Sequence, residues 1–142
     1  KFVLPTASSR PISLNGGMKM PGWSDIYGLD AAAEEDKAGF EESRARVDAI
    51  VSAELAGGIA PGKIVVAGFS QGGALALHTA LRSEVALGGC VALSSWLPFR
   101  ADYPAAKTAA ADNLKLFQAH GTADNVVRYT WGKSSHELLK NL

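Results

Sequence analysis

The stretch KIVVAGFSQGGALALHTAL, residues 63–81, decides the fold of this chain. Residues 64–67 form a short unbroken apolar run, which is typical of a parallel strand buried on both faces. A run of strong helix formers begins at Ala74. The pentapeptide G-F-S-Q-G stands between them and matches G-x-S-x-G with the strand and helix flanks that this motif requires. The pattern therefore predicts a sharp strand-to-helix turn with Ser70 at its apex.

Ser70 is the residue of this turn with catalytic potential. We expect a Cβ atom at residue 68 or 72 to clash where strand and helix nearly touch, and Gly68 and Gly72 have none. The turn can therefore be sharp enough to leave the Ser70 Oγ exposed. The helix dipole and the free backbone N–H of Gln71 are then placed to stabilise an oxyanion. We interpret Ser70 as a nucleophile. A glycine-rich turn with a helix-capping serine is the alternative.

Size and composition indicate one globular domain over residues 1–142. A chain of 142 residues and 14.8 kDa is at the small end for a doubly wound α/β fold. Its 14 basic residues balance 14 acidic ones, which argues against nucleic-acid or anionic-membrane partners. Cys90, the one cysteine, excludes an intramolecular disulfide and fits a reducing, cytoplasmic compartment.

The region before the motif is irregular in pattern. Residues 2–4 predict a strand, and no period is sustained from Thr6 to about Ala33. The large apolar residues of this stretch either pack onto the domain or form one wall of an apolar groove. The chain opens in an apparent strand and closes in an apparent helix, so we expect a segment of a larger domain. Neither a signal peptide nor a membrane-spanning run is visible.

Strands and helices alternate along the rest of the chain. Helices are predicted over residues 36–55, 71–82 and 131–142, and strands over 64–67, 89–94 and 114–119. The alternation predicts an α/β fold with a mostly parallel sheet and helices on both faces. The charged residues of the first helix, including Glu41 and Arg44, are expected only to form a solvated face.

Four segments together resemble the acyl-protein thioesterase and carboxylesterase family of α/β-hydrolases, also called lysophospholipase-like. They are RPISLNGGMKMPGWSDIYGL at 10–29, GFSQGGALALHTAL at 68–81, ALSSWLPFR at 92–100 and HGTADNVV at 120–127. The resemblance covers residues 1–142 and implies an α/β-hydrolase domain that is incomplete at both ends. It implies hydrolysis of thioesters or esters of acyl chains, on an acylated protein, a lysophospholipid or another ester, with no cofactor and no metal.

The resemblance also assigns roles to individual residues. Ser70 matches the family's nucleophile, Asp124 its triad acid and the Gln71 N–H one of its two oxyanion donors. Asp-Asn after Gly-Thr-Ala is also good turn chemistry, so a loop-capping Asp124 remains an alternative. The family's triad histidine and its other oxyanion donor belong to segments that this sequence does not contain.

The three histidines present are weak substitutes for the base. His78 lies in the helix after Ser70, about 12 Å along its axis, so we expect a core or helix-surface role. His120 precedes Asp124, and a structural hydrogen bond to the acid loop is the better interpretation. His136 follows Asp124 but lies mid-helix and matches no histidine of the family.

Large apolar residues on loops are candidates for an acyl-chain channel, although each fits ordinary loop packing as well. They are Met20, Trp23, Trp96, Leu97 and Val127, of which Trp96 and Leu97 are favoured. The rival hypothesis is a truncated, non-catalytic segment that acts as a binding or dimerising unit. Bare sheet edges and exposed apolar surface would then favour association, for example as a homodimer.

Overall fold

The structure is a computed structural model that describes residues 1–30 and 33–142. Its strands are β1 (Ser9–Ile12), β2 (Met18–Pro21), β3 (Val65–Phe69), β4 (Gly89–Leu93) and β5 (Leu116–Ala119). Its α-helices are α1 (Lys37–Ala56), α2 (Gln71–Leu81) and α3 (Tyr129–Leu139). Short 3-10 helices occupy Ser13–Asn15, Pro61–Lys63, Arg100–Asp102 and Ala109–Ala111. From α1 onward, the element order is the predicted alternation.

Strands β3, β4 and β5 form a parallel sheet in that order. Cys90 in the central strand is in register with Val66 on one side and Leu116 on the other. Because the strands are parallel, their carboxyl ends meet at one edge of the sheet, where sites gather in open α/β folds. The turn at Ser70 and the loop with Asp124 both leave from this edge. The predicted parallel sheet is confirmed.

The described helices cover one face of this sheet. Cys90 and Ala92 lie in the main core with Leu77 and Leu81 of α2. Partly buried residues of α1 and α3, among them Val47, pack against the same core. Side chains alternate between faces along a strand, so each strand presents every second residue to the helices. The helix-covered face therefore carries the hydrophobic core.

The opposite face of the sheet is open in the part of the chain that the structure describes. Val65, Phe69 and Phe117 lie on it and are 56%, 67% and 59% exposed. The sequence analysis expected β3 to be buried on both faces and helices to cover both faces. Here β3 alternates between exposed and partly buried residues, because α1, α2 and α3 all pack on the other side. An apolar run shows that a strand tolerates burial, but it does not show how many faces are covered.

The region before α1 contains a β-hairpin that the sequence analysis missed. Strands β1 and β2 pair antiparallel, with Ser9 opposite Pro21 and Ile12 opposite Met18. All four residues of β2 are exposed, so no alternation of apolar and polar residues reveals this strand. The predicted strand at residues 2–4 is wrong, since these residues are exposed and pair with no described strand.

Helix α1 contradicts the expectation that its charged residues only face solvent. Glu41 Oε1 lies 3.0 Å from Nε2 of the buried His78. Arg44 Nη2 donates to the carbonyl of Arg82 over 2.9 Å. Both side chains lie where α1 packs against α2. Part of the polar face of α1 borders this contact, so these charged residues bond to the neighbouring helix and its end. None of the helices described is long and apolar enough to cross a membrane.

Candidate active site

Ser70 occupies a strained turn between β3 and α2. Its backbone lies at φ 52° and ψ −123°, a region that non-glycine residues rarely adopt. The Ser70 N–H donates to Leu93 O in β4 over 2.9 Å, and its carbonyl accepts from the N–H groups of Gly73 and Ala74. The Ser70 hydroxyl makes no capping bond to α2, which argues against the alternative that Ser70 serves as a helix cap. The predicted strand-to-helix turn with Ser70 at its apex is confirmed.

Two glycines allow the strand and the helix to cross at this turn. A Cβ atom at Gly68 would overlap the Gly72 carbonyl group, and one at Gly73 would lie 2.7 Å from Ser95 Cβ. A Cβ atom at Gly72 would lie 3.6 Å from Trp23 Nε1, which is ordinary contact. The close approach therefore depends on Gly68 and Gly73. The expectation that Gly72 is needed for it is wrong, because a Cβ atom there would make only ordinary van der Waals contact with the Trp23 ring.

Gln71 follows Ser70 and lies in the first turn of α2, where backbone N–H groups have no partner within the helix. Its side chain makes three hydrogen bonds that the sequence analysis did not predict. Gln71 Oε1 accepts from the Trp23 N–H over 2.8 Å, while Nε2 donates to the hydroxyl and carbonyl of Ser24. The turn is thereby joined to the segment that follows the hairpin, which we call the strap (residues 22–30 and 33–36).

Asp124 lies in the loop after β5, at the same edge of the sheet as Ser70. Its Oδ1 accepts from the backbone N–H groups of Val126 (2.9 Å) and Val127 (3.0 Å). These bonds, the imidazole of His120 and the Ser94 hydroxyl hold the pKa of Asp124 below its ordinary value. Oδ1 thus caps the loop, as the alternative interpretation expected. Oδ2 faces His120 at 3.5 Å.

The histidines occupy the structural settings that the sequence analysis favoured. His78 is fully buried in the core beside Glu41. His120 Nε2 donates to the Val127 carbonyl over 2.7 Å and so braces the acid loop. His136 is exposed on α3. Among the described residues, no cluster of His, Cys, Asp and Glu is arranged to hold a metal ion.

A cavity of about 160 Å³ adjoins the turn. Ser70 and Gln71 line it, together with Trp96, Leu97 and Val127 from the predicted channel set. The strap forms the wall that faces them, including Ile26, Tyr27 and Leu29. Both alternatives for this stretch are therefore realised, since the strap packs onto the domain and also walls an apolar groove.

Met20 and Trp23 are the two channel candidates that do not line this cavity. Met20 lies in the hairpin, where its sulfur accepts from Asn15 Nδ2. Trp23 packs against the small core around Phe40, and the Arg46 guanidinium lies 5.6 Å from its ring centroid. Its ring is turned towards α1 because its backbone is bonded to Gln71 and Ser43. Of the five predicted channel residues, Trp96, Leu97 and Val127 therefore line the cavity beside Ser70, while Met20 and Trp23 lie outside it.

Glu35 is a cavity residue that the sequence analysis did not single out. Its Oε1 accepts from Trp96 Nε1 over 2.9 Å, and its Oε2 accepts from the Phe99 N–H over 2.7 Å. The Trp96 ring stacks on Trp131 with centroids 5.3 Å apart and planes at 21°. In the sequence Glu35 is the middle of an acidic run that suits a helix N-terminus, and nothing in that run distinguishes it.

Asp36, the last residue of the strap, connects the cavity wall to α1. Its Oδ1 accepts from the Gly39 N–H over 2.9 Å and so caps the first turn of the helix. Its Oδ2 accepts from the Asp25 N–H over 2.8 Å. An isolated bridge pairs Ile26 with Glu35. The two ends of the strap are therefore held side by side.

A parallel sheet with a serine at a strained strand-to-helix turn is the architecture of an α/β-hydrolase. Comparison with known families gives the same class and narrows it. The chain belongs to the Phospholipase/Carboxylesterase family, whose profile matches residues 1–142.

Curated relatives carry the name acyl-protein thioesterase 1. The chain is 43% identical to the Mycosarcoma maydis protein over an aligned region of 150 residues. That region covers 99% of this chain and 62% of the relative. The chain is 42% identical over 149 residues to the Neurospora crassa protein, with 100% and 61% covered. The chain therefore spans less than two thirds of the length of these relatives.

Solved structures show the same fold. The crystal structure of Arabidopsis thaliana SOBER1 superposes with a TM-score of 0.93 at 30% identity, over 98% of this chain and 67% of that one. Zea mays acyl-protein thioesterase 2 superposes with a TM-score of 0.84 at 33% identity, over 96% and 65%. The predicted family and fold class are confirmed.

Proposed function

We propose that the whole protein is a serine hydrolase that cleaves thioesters or esters of acyl chains. The observation that carries this proposal is the position of Ser70, which sits on a strained turn and lines a cavity with largely apolar walls. A backbone strained at φ 52° needs a compensating reason, and exposure of a nucleophile at a ligand cavity supplies one.

In the proposed reaction, Ser70 Oγ attacks the acyl carbonyl and its proton passes to a histidine. The oxyanion accepts a hydrogen bond from the Gln71 N–H. The histidine then gives this proton to the leaving sulfur or oxygen as its bond to the acyl carbon breaks, which releases a thiol or alcohol. Water hydrolyses the acyl-enzyme by the same route. Asp124 would hold the tautomer of that histidine, and its lowered pKa keeps the carboxylate ionised at neutral pH. This chemistry uses no cofactor.

We assign the histidine to a part of the protein outside residues 1–142. Each histidine of the chain is otherwise placed, with His78 in the core, His120 on the Val127 carbonyl and His136 exposed on α3. The greater length of the curated relatives leaves room for such a residue. Ser70 without a base is a poor nucleophile, because its pKa lies far above neutrality.

The substrate class follows from the cavity walls and from the relatives. Trp96, Leu97 and Val127 offer apolar surface on the side opposite the strap. Relatives named acyl-protein thioesterase support an acylated protein as the acyl donor. A lysophospholipid or another ester presents the same acyl chain to Ser70 and is the alternative donor.

The test is Ser70→Ala in the full-length protein. We expect loss of p-nitrophenyl ester hydrolysis and of labelling by a fluorophosphonate probe, because both require the Ser70 oxygen. Ser52→Ala, on the exposed side of α1, is the matched control and should retain both signals. Undiminished turnover by Ser70→Ala would rule out Ser70 as the nucleophile.

A second proposal is that residues 1–142 act as a binding or dimerising unit without catalysis. The open apolar face of the sheet, with Val65, Phe69 and Phe117, favours it. Light scattering and the ester assay on residues 1–142, beside the full-length protein, separate the two proposals. A dimer that hydrolyses no ester and takes up no fluorophosphonate would support this second role.

A further inference from the structure

The side-chain amide of Gln71 is bonded to the strap through both its oxygen and its nitrogen. Oε1 accepts from the Trp23 N–H over 2.8 Å. Nε2 donates to the Ser24 carbonyl over 3.0 Å and to the Ser24 hydroxyl over 2.8 Å. Ser24 is 1% exposed, and its hydroxyl donates onward to the Asp25 carbonyl. The amide oxygen meets a donor and the amide nitrogen meets two acceptors, so only one orientation of the amide fits the strap.

These partners require an amide at position 71. A glutamate side chain has the same length, but an ionised carboxylate has no donor for the carbonyl and hydroxyl of Ser24. A methionine side chain has a similar length and makes none of the three bonds. Glutamine is an ordinary helix former, and the formation of α2 alone uses none of these bonds. The contact with the strap is therefore what distinguishes glutamine from other helix formers at this position.

The peptide group between Ser70 and Gln71 is held at its other end by α2. The Ser70 carbonyl accepts from the N–H groups of Gly73 over 2.9 Å and Ala74 over 3.1 Å. Because a peptide group is planar, the direction of the Gln71 N–H follows from the positions of this carbonyl and of Gln71 Cα. The side-chain bonds to the strap restrain the Cα end. Ser70 at φ 52° keeps its strained backbone only where the surroundings impose it, and these bonds are part of those surroundings.

We infer that the Gln71 side chain is a positioning group that aims the Gln71 N–H at the oxyanion formed beside Ser70. The inference rests on the proposed hydrolase function and deepens it. The side chain itself touches neither the acyl carbonyl nor the Ser70 hydroxyl in this role, and it acts through the backbone of its own residue. A donor that is already aimed at the developing charge needs no reorganisation in the transition state. Loss of the side-chain bonds should therefore weaken transition-state binding more than substrate binding.

The test replaces Gln71 in the full-length protein and measures hydrolysis of a butanoyl p-nitrophenyl ester. Gln71→Met keeps the length of the side chain and loses all three bonds. We expect kcat to fall by about tenfold to a hundredfold, less than the roughly 10²–10³ of a missing oxyanion donor, because the N–H is misplaced and not removed. KM should change by less than about twofold. Ser24→Ala removes one of the three bonds and should lower kcat by about threefold.

Gln118→Met is the matched control. Gln118 Nε2 donates to the Gly132 carbonyl over 3.0 Å, so this variant also exchanges glutamine for methionine and loses a bond from a side-chain amide to the backbone. Gln118 lies on β5 and does not line the cavity beside Ser70. Its kcat and KM should stay at the wild-type values.

A pair of inhibitors separates positioning from a general structural effect. In the adduct with an alkyl trifluoromethyl ketone, Ser70 Oγ bonds to the carbonyl carbon, the π electron pair moves to the carbonyl oxygen and the Oγ proton passes to the histidine. The corresponding secondary alcohol has the same alkyl chain and forms no oxyanion. In Gln71→Met the Ki of the ketone should rise by about the factor by which kcat falls, whereas the Ki of the alcohol should stay within about twofold of wild type.

The outcomes distinguish this inference from the proposed function. Wild-type kcat in Gln71→Met, or an equal rise in Ki for ketone and alcohol, would overturn the positioning role and leave the hydrolase function standing. If circular dichroism shows that Gln71→Met does not fold, Ser24→Ala is judged by the same two inhibitors and the same criterion. A wild type that hydrolyses no ester and binds the ketone no more tightly than the alcohol would overturn the proposed function and the positioning role together.

Discussion

Nε2 of His78 lies 3.0 Å from Oε1 of Glu41, although the imidazole is fully buried and the carboxylate side chain is 44% exposed. Burial, followed by the charge of Arg82, lowers the pKa of His78 to about 4, and the opposing effect of Glu41 is smaller. Phe40 and Phe99 pack against the ring with centroids at 5.5 and 5.3 Å. His78 is therefore neutral at pH 7, and the seam between α1 and α2 is closed around an uncharged imidazole.

The lowered pKa of His78 predicts a loss of stability in mild acid. Below pH 6.5 the unfolded chain binds a proton at this residue, whereas the folded chain does not until about pH 4. The free energy of unfolding should therefore fall as the pH drops through this window, by about 2 kcal/mol between pH 7 and 5. Urea unfolding of the full-length protein at pH 7, 6 and 5 measures it.

His78→Gln isolates this contribution from that of other titrating groups. The amide keeps a donor near Glu41 and cannot take up a proton, so its stability should change less with pH than that of the wild type. Ser52→Ala, on the exposed side of α1, removes no titrating group and should follow the wild-type pH profile. Parallel curves for wild type and His78→Gln would contradict the lowered pKa.

The glycines of the turn predict opposite outcomes for two alanine substitutions. Gly68→Ala puts a methyl group into the Gly72 carbonyl and should destabilise the fold by about 3 kcal/mol or prevent folding. Gly72→Ala meets Trp23 Nε1 at 3.6 Å in the first turn of α2 and should change stability by less than about 1 kcal/mol. Denaturant titration compares the two. Equal losses would show that the crossing does not depend on Gly68.

Asp124→Asn tests the triad acid without removing the loop cap. The amide oxygen can still accept from the Val126 and Val127 N–H groups, so the fold should be retained. In the full-length protein we expect kcat to fall by about 10³–10⁴, as when a triad histidine loses its orienting carboxylate. The assay is ester hydrolysis with circular dichroism as the folding check. Activity within about tenfold of wild type would limit Asp124 to the capping role.

Residues 1–142 alone should hydrolyse esters at no enzymatic rate. Loss of a triad member typically costs on the order of 10⁴ or more in kcat, and loss of an oxyanion donor about 10²–10³. The segment is to be purified, shown by circular dichroism to be folded, and assayed beside its His136→Ala variant. Robust activity that His136→Ala eliminates would make His136 the base and overturn our interpretation of it.

The turn at Ser70 was predictable because its signal is local. The motif G-F-S-Q-G lies between an apolar run and a run of helix formers. This combination is compatible with few backbone conformations, so the order of strand, turn and helix was predicted correctly. The role of Gly73 was not predictable in this way. It depends on the position of Ser95, which lies in another strand-to-loop junction and is far away in sequence.

The cavity walls were predictable only in part, for the same reason. Trp96 and Leu97 stand on a loop at the carboxyl edge of the sheet, where the fold class directs attention. The sequence pattern placed Trp23 and Met20 on a loop as well, but Met20 lies in β2 and the Trp23 ring packs against the core around Phe40. The contacts of Glu35 join residues more than sixty positions apart, which no periodicity encodes.

The two bonds of Asp36 define what can move at the cavity. One side chain holds both the first turn of α1 and the Asp25 end of the strap. A displacement that carried the whole strap outward would uncap the helix. By contrast, a displacement at Glu35 would break its bonds to Trp96 and Phe99 without touching the bond that caps α1. The wall of the cavity at Glu35 can therefore separate from the Trp96 loop while α1 stays capped by Asp36.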